Sequence, residues 1–491
     1  MDEFPFQFER VAESTWAYLS SLLMLALFFK FNRFWSVRNF DLFLIILLAP
    51  GILMIQAGNK WDDSNTPPKP LVERLASETT SDETSTQAVS AAEQAEIDLN
   101  SPGNSLRRWG YFWLFGVGLI FLIRMLLDPM LVRRPVLEPN LSVGGLTFLS
   151  CALMMFLFAN IITSTPTEVD LKGAQDAVKM LQREAAEEAE KESLTRRGPG
   201  YTLFNLFPVI PSFGDGKAIL EADPETESSI GRFVVAAKSL AIASQVLLVI
   251  GLVFFGSQFF NSFRTGIGMA VIYLMLPYSA VYTGYVLHTL PATLMVWALV
   301  AIRRPMVSGI FIGLAIGVSY YPIFLLPLWV SFFWEKGLRP FLMGALIAVV
   351  VCVTGLIFTS ASPLDFLLQL QAMFGFWIPR MEGLDGIWSL GWDQSYRLPI
   401  LVTFVALCVS FAAWPQQKTV AVLMSYTCVI MIGVQFWHGY GGGEYMAWWI
   451  PMALMTIFRP NMEGRVANFE LTQAEEKRML KATRDELVEQ I

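Results

Sequence analysis

Residues 305–334 carry no charged side chain, yet Arg303 and Arg304 precede them and Lys336 and Arg339 follow them. Cations flanking an apolar run mark its cytoplasmic side, so both ends of this segment belong on one face of a membrane. A single straight span cannot satisfy that condition. The sequence offers a break at Tyr320-Tyr321-Pro322, which predicts two half-helices meeting at Pro322. Lipid supplies no hydrogen-bond partners, so the backbone groups freed there must face neighbouring helices or a cavity.

The rest of the chain agrees with a membrane setting. Of 491 residues, 54% are hydrophobic and 16% charged, and the mean hydropathy is +0.49, too apolar for a soluble globule of this size. The expected class is an all-α, polytopic transmembrane protein with about twelve hydrophobic segments, near residues 14–30, 40–57, 110–127, 145–163, 233–257, 266–286, 289–302, 307–334 (broken), 339–360, 397–414, 419–437 and 445–458. Short loops with Lys30, Arg33 and Arg38, with Arg133 and Arg134, with Arg264, and with Lys418 alternate with cation-free connections such as 278–287 and 438–444. That asymmetry places the amino terminus outside and the carboxyl tail in the cytoplasm, in a multi-pass inner-membrane protein. The first span lacks a cleavage signal and is expected to stay. Cys151, Cys352, Cys408 and Cys428 all fall in apolar spans, which indicates neither disulfides nor a thiolate metal site. A net charge of -7 and a pI near 5.2 argue against nucleic acid as a partner.

Three regions are expected. Residues 1–135 form an accessory transmembrane module whose outer loop, 62–106, is too polar to order itself. Residues 140–460 form the working core, with outer loops 164–232 and 361–396. Residues 466–491 form a cytoplasmic helical tail, opened by a capping box from Thr472 to Glu475 and able to dock a protein partner through Leu480, Leu487 and Ile491. In the first core loop, Leu171, Ala174, Val178 and Leu181 share one helical face, which predicts a helix along the outer surface over Glu168–Leu194. Gly198-Pro199-Gly200-Tyr201 is expected to stop it, before an apolar return over residues 203–211. Trp388 and Trp392, with their aromatic neighbours in loop 361–396, read as an interfacial belt, and Arg124 as a cation reaching the headgroups.

The order of these parts resembles the C-type glycosyltransferases, membrane enzymes that use polyprenyl-phosphate sugars, and in particular their bacterial mannosyltransferase-like branch. The likeness covers roughly residues 145–460. It rests on Asp170 soon after its span, the loop helix, Gly198 to Tyr201, Ser308-Gly309 with Gly313 before the Pro322 break, Pro327, and Trp437-His438-Gly439-Tyr440 followed by Trp448-Trp449-Ile450-Pro451. Tyr320 and Tyr321 stand where many relatives have a basic residue, the insertion 183–192 is longer than usual, and the spans before residue 140 have no counterpart. The resemblance implies transfer of a mannose-like hexose from a polyprenyl-phosphate donor, itself a membrane lipid, to an extracytoplasmic hydroxyl.

That chemistry needs a carboxylate to take the acceptor proton and donors to hold the leaving phosphate. Asp170 is the candidate base, with Asp176 and Asp62 behind it. Thr167 three residues earlier makes a helix cap an equal reading of Asp170. His288 and His438 are the two histidines of the chain and are expected to converge on one outer cavity as substrate-binding groups, or else to be interfacial residues satisfied by carbonyls. Arg232, Lys238 and Arg380 are candidate phosphate ligands, with snorkelling anchors as the plain alternative. Tyr320 and Tyr321 complete the substrate-binding set. The Gly309, Gly313, Gly317 row reads as helix packing. No metal motif or cofactor is expected, although an acidic pair such as Asp62-Asp63 leaves a divalent cation possible. The competing functions are a non-catalytic, partner-binding membrane protein and, with less support, a transporter.

Overall fold

The computed structural model describes residues 11–65, 101–131, 137–182, 197–214, 219, 226–360, 362–364, 366–367, 370 and 384–460. Arg380, the carboxyl tail and most of loop 62–106 lie outside them. The protein is an all-helical, polytopic membrane protein, with no strand among the described residues.

Six apolar stretches are long enough to cross a bilayer, among them Val37–Asp62, Pro102–Met130, Val143–Thr163 and Ser228–Phe259. They correspond to α2 (Val37–Ile46) running into α3 (Leu48–Asn65), α4 (Pro102–Leu126), α5 (Val143–Thr163) and α8 (Glu227–Phe259). Two more are α14 (Leu338–Thr359) and α15 (Arg397–Ala413). Side-chain caps start several helices: the hydroxyls of Ser142 and Thr419 accept from the backbone N–H of Gly145 and Val422.

The centre is built differently. The inner helices α9 (Phe263–Met275), α11 (Val286–Val300), α12 (Pro305–Val318) and α16 (Val420–Gln435) have 13, 15, 14 and 16 residues, and α17 (Ile450–Phe458) has 9. A span needs roughly 20. Their ends therefore sit inside the depth covered by the long helices, where irregular backbone persists only if protein satisfies it. It does so here: Trp388 Nε1 donates to the His438 carbonyl at 3.0 Å, Trp448 Nε1 to Leu287 at 3.0 Å, and Arg397 Nε to Trp437 at 3.1 Å. Trp388 is thus buried, not interfacial. The expected span 266–286 is likewise interrupted, since α9 stops at Met275 and Pro277 opens the short α10 (Pro277–Tyr282).

Segment 305–334 folds back on itself as its flanking charges require. α12 ends at Val318, a 3-10 turn occupies Tyr321–Leu325, and α13 (Leu326–Phe333) returns. A Cβ on Gly337 would meet Pro305, so the two ends of the segment lie together. α12 packs along α14 at backbone contact: a Cβ on Gly309 would lie 2.0 Å from the Phe341 carbonyl oxygen, and one on Gly344 2.0 Å from that of Met306. The glycine row is packing.

The first spans pack directly into the body. α1 (Glu13–Phe28) lies on α9 and α10, and α4 lies against α16. Arg124 does not reach for headgroups. It makes two bonds to Asp41 at 2.7 and 2.9 Å and one to Asp128 at 2.9 Å, and Arg459 adds a 3.2 Å contact to Asp128. Both aspartates are fully buried, so a guanidinium is held between them. Removing one partner of a buried pair typically costs about 3–5 kcal/mol, because the other charge is left uncompensated. Arg124→Leu is therefore expected to lower stability by roughly that amount, read as a drop in the melting midpoint of the detergent-solubilised protein.

Candidate functional site

The motif-bearing segments meet at one end of the bundle, opposite the end that holds Arg124 and Arg459. The large loop begins with α6 (Glu168–Gln182), whose Leu171, Ala174 and Val178 are buried against α7 (Pro199–Phe213) and α8. The predicted helix is present as far as Gln182; residues 183–194 lie outside the described residues. Gly198-Pro199-Gly200 starts α7, with Pro199 at its first position. Gly198 N donates to the Val318 carbonyl at 3.0 Å, and its Cβ would fall 2.0 Å from the Gly317 oxygen. Only glycine allows the loop to dock on the break of the re-entrant helix.

Asp170 is buried beneath that junction. Thr167 Oγ1 donates to one carboxylate oxygen at 2.6 Å and accepts from the Asp170 N–H at 3.1 Å, while the Tyr201 hydroxyl donates to the other oxygen at 2.5 Å. This is the capping arrangement read from Thr167 and Asp170. Burial pushes its carboxyl up, and the bonds from Thr167, Tyr201 and the Val286 backbone counter that. Asp176 is paired with Arg197 at 2.7 Å, and Asp62 with Arg107 at 2.6 Å.

The two histidines come together around Tyr445. The His288 ring lies 4.1 Å and the His438 ring 4.6 Å from it, centroid to centroid. Tyr321, at the re-entrant tip, packs on His438 at 4.4 Å, whereas the Tyr320 hydroxyl reaches the Arg197 carbonyl at 3.4 Å. Both imidazoles are buried, at 5% and 2% exposure, inside an aromatic cluster and away from open solvent. His288 Nδ1 pairs with the Tyr278 hydroxyl at 2.9 Å, and Tyr282 stacks on the ring at 4.9 Å. Glu444, a residue the sequence reading passed over, sits beside them, bound by the Tyr111 and Tyr282 hydroxyls. Burial raises its carboxyl, and the two hydroxyls offset part of that. Its Gly-Gly-Gly-Glu-Tyr setting was the available signal: an acidic residue in a cation-free turn between buried helices.

A cavity of about 330 Å³ opens next to this cluster. Glu13, Gln56, Asn160, Thr167, Lys238 and Thr283 are on its wall. Tyr282 stands between the cavity and the histidines: Val281 and Thr283 line the cavity, the Gln56 amide donates to the Tyr282 hydroxyl at 3.3 Å, and the Tyr282 ring faces His288. Lys238 donates to the Ile162 carbonyl at 2.6 Å. Asn160 Oδ1 and Thr283 Oγ1 are buried and have no partner among the described residues. Each unmet buried group of this kind costs about 1–3 kcal/mol. Among the described residues, Lys238 is the one predicted substrate ligand on the cavity wall. Among the described residues no three His, Cys, Asp or Glu side chains are grouped to hold a metal. No protein-family model, curated protein or solved structure matches the chain.

Proposed function

We propose that this protein is a multi-pass inner-membrane glycosyltransferase that moves a mannose-like hexose from a polyprenyl-phosphate donor to a hydroxyl acceptor on the extracytoplasmic side. The observation that carries the reading is the polar cavity, lined by Lys238, Asn160 and Thr283, at the end of the bundle where the re-entrant break and the Gly-Pro-Gly-Tyr segment meet. A sugar phosphate matches that inventory: hydroxyls for Asn160 and Thr283, an anion for Lys238. The polyprenyl chain has a path on α5, whose Phe148, Met155 and Ile162 are 76%, 72% and 61% exposed and recur every seven residues toward the cavity. Orientation follows from charge. The opposite end bears Lys30, Arg33, Arg264, Arg303, Arg304, Lys336 and Lys418, so the cavity end is the outer one and the carboxyl tail is cytoplasmic.

In this reading Asp170 is a positioning residue. It fixes the hydrogen of the Thr167 hydroxyl, leaving a lone pair of that oxygen for a ligand hydroxyl at the wall. His288 lies behind the wall, packed on Tyr282 and Tyr285, and His438, Tyr320 and Tyr321 are not on it. Arg380 stays a candidate phosphate ligand outside the described residues.

A specific observation also favours the non-catalytic alternative: Asp170 and both histidines are sealed by internal partners. The two readings separate in one assay. Purified protein incubated with labelled polyprenyl-phosphate hexoses is expected to release or transfer sugar, and Lys238→Met to weaken donor use by about 10- to 150-fold, the worth of a hydrogen bond to a charged group. Repeating it with a chelator tests the divalent-cation expectation. Absence of turnover with every donor would favour the partner-binding reading.

A further inference from the structure

The cavity wall carries one carboxylate among the described residues, and it belongs to the first helix, not to the large loop. Glu13 opens α1, and its side chain, 25% exposed, is paired with Lys60 of α3. Asp170 is a hydroxyl removed from the cavity, behind Thr167, with each oxygen already accepting an internal hydrogen bond. Asn160 and Thr283 line the same cavity, and their Oδ1 and Oγ1 are buried, shielded from solvent and unpartnered among the described residues. The carboxylate reachable from the cavity is thus supplied by the amino-terminal spans.

We infer that Glu13 takes the proton of the acceptor hydroxyl in this cavity while Asn160 and Thr283 hold sugar hydroxyls. The inference rests on the sugar-transfer reading and names its base. As the acceptor O–H bond breaks, its proton passes to a Glu13 carboxylate oxygen and the acceptor oxygen bonds to the anomeric carbon. The bond from that carbon to the phosphate oxygen breaks, and its electron pair leaves with the polyprenyl phosphate. Glu13 then returns its proton to solvent. Lys60 holds the carboxylate from the side of α3. The spans before residue 140 are on this account part of the catalytic unit.

The test uses the full-length protein with a labelled polyprenyl-phosphate hexose and compares Glu13→Gln and Glu13→Asp with wild type. Glu13→Gln is expected to lose about 10²- to 10⁴-fold in kcat, the usual yield of a general base, with little change in donor KM. Glu13→Asp, which keeps a carboxylate, is expected to recover part of that loss. An active wild type with Glu13→Gln unimpaired, or with Glu13→Asp reduced as much as Glu13→Gln, overturns the assignment alone. A wild type inactive toward every donor overturns the transfer reading and the assignment with it.

Discussion

The structure depends on one constraint: backbone N–H and C=O groups at membrane depth must find partners inside the protein. Helices of 13 to 16 residues are too short to reach both aqueous faces, yet four of them form the centre of this bundle. Indole and guanidinium donors from Trp388, Trp448 and Arg397 meet carbonyls at the ends of α11 and α16, and the Gly198 N–H meets the Val318 carbonyl at the end of α12. Longer helices on the outside shield the arrangement from lipid. The result is a bundle whose core is polar and irregular at one end and ion-paired at the other.

That asymmetry links stability to function. At one end Arg124, Asp41, Asp128 and Arg459 clamp the first spans to the end of α17. At the other, a cavity opens among polar side chains, with Glu13, Gln56 and Lys238 on its wall. The amino-terminal spans contribute to both ends, through Asp41 and Arg124 at one and Glu13 and Gln56 at the other.

Much of the fold was legible in the sequence. Length and apolarity gave the long spans, the cations around residues 305–334 gave the fold-back, and the spacing of Leu171, Ala174 and Val178 gave the loop helix. Burial partners were not legible. A lone Arg124 in an apolar run looks the same whether it snorkels or pairs, because Asp41 lies 83 residues away in sequence. Trp388 looked interfacial because composition does not say which carbonyl needs a donor. For the site, the sequence pointed to the segments that meet, but it placed the cap of Asp170 and its base role on an equal footing and missed Glu13, Asn160, Thr283 and Glu444. Those residues come from four separate segments, so no local pattern could unite them.

The most direct test of the account is ligand-linked stability. Purified protein would be heated with increasing polyprenyl-phosphate hexose, with polyprenyl phosphate lacking the sugar as the reference lipid. A ligand that binds the folded state at a hundred times its Kd stabilises by about 2.7 kcal/mol. The account predicts that the sugar-bearing lipid raises the melting midpoint more than the reference lipid, and that Thr283→Val removes the difference. Equal shifts with both lipids, or a sugar-dependent shift untouched by Thr283→Val, would contradict the assignment of the cavity to the sugar.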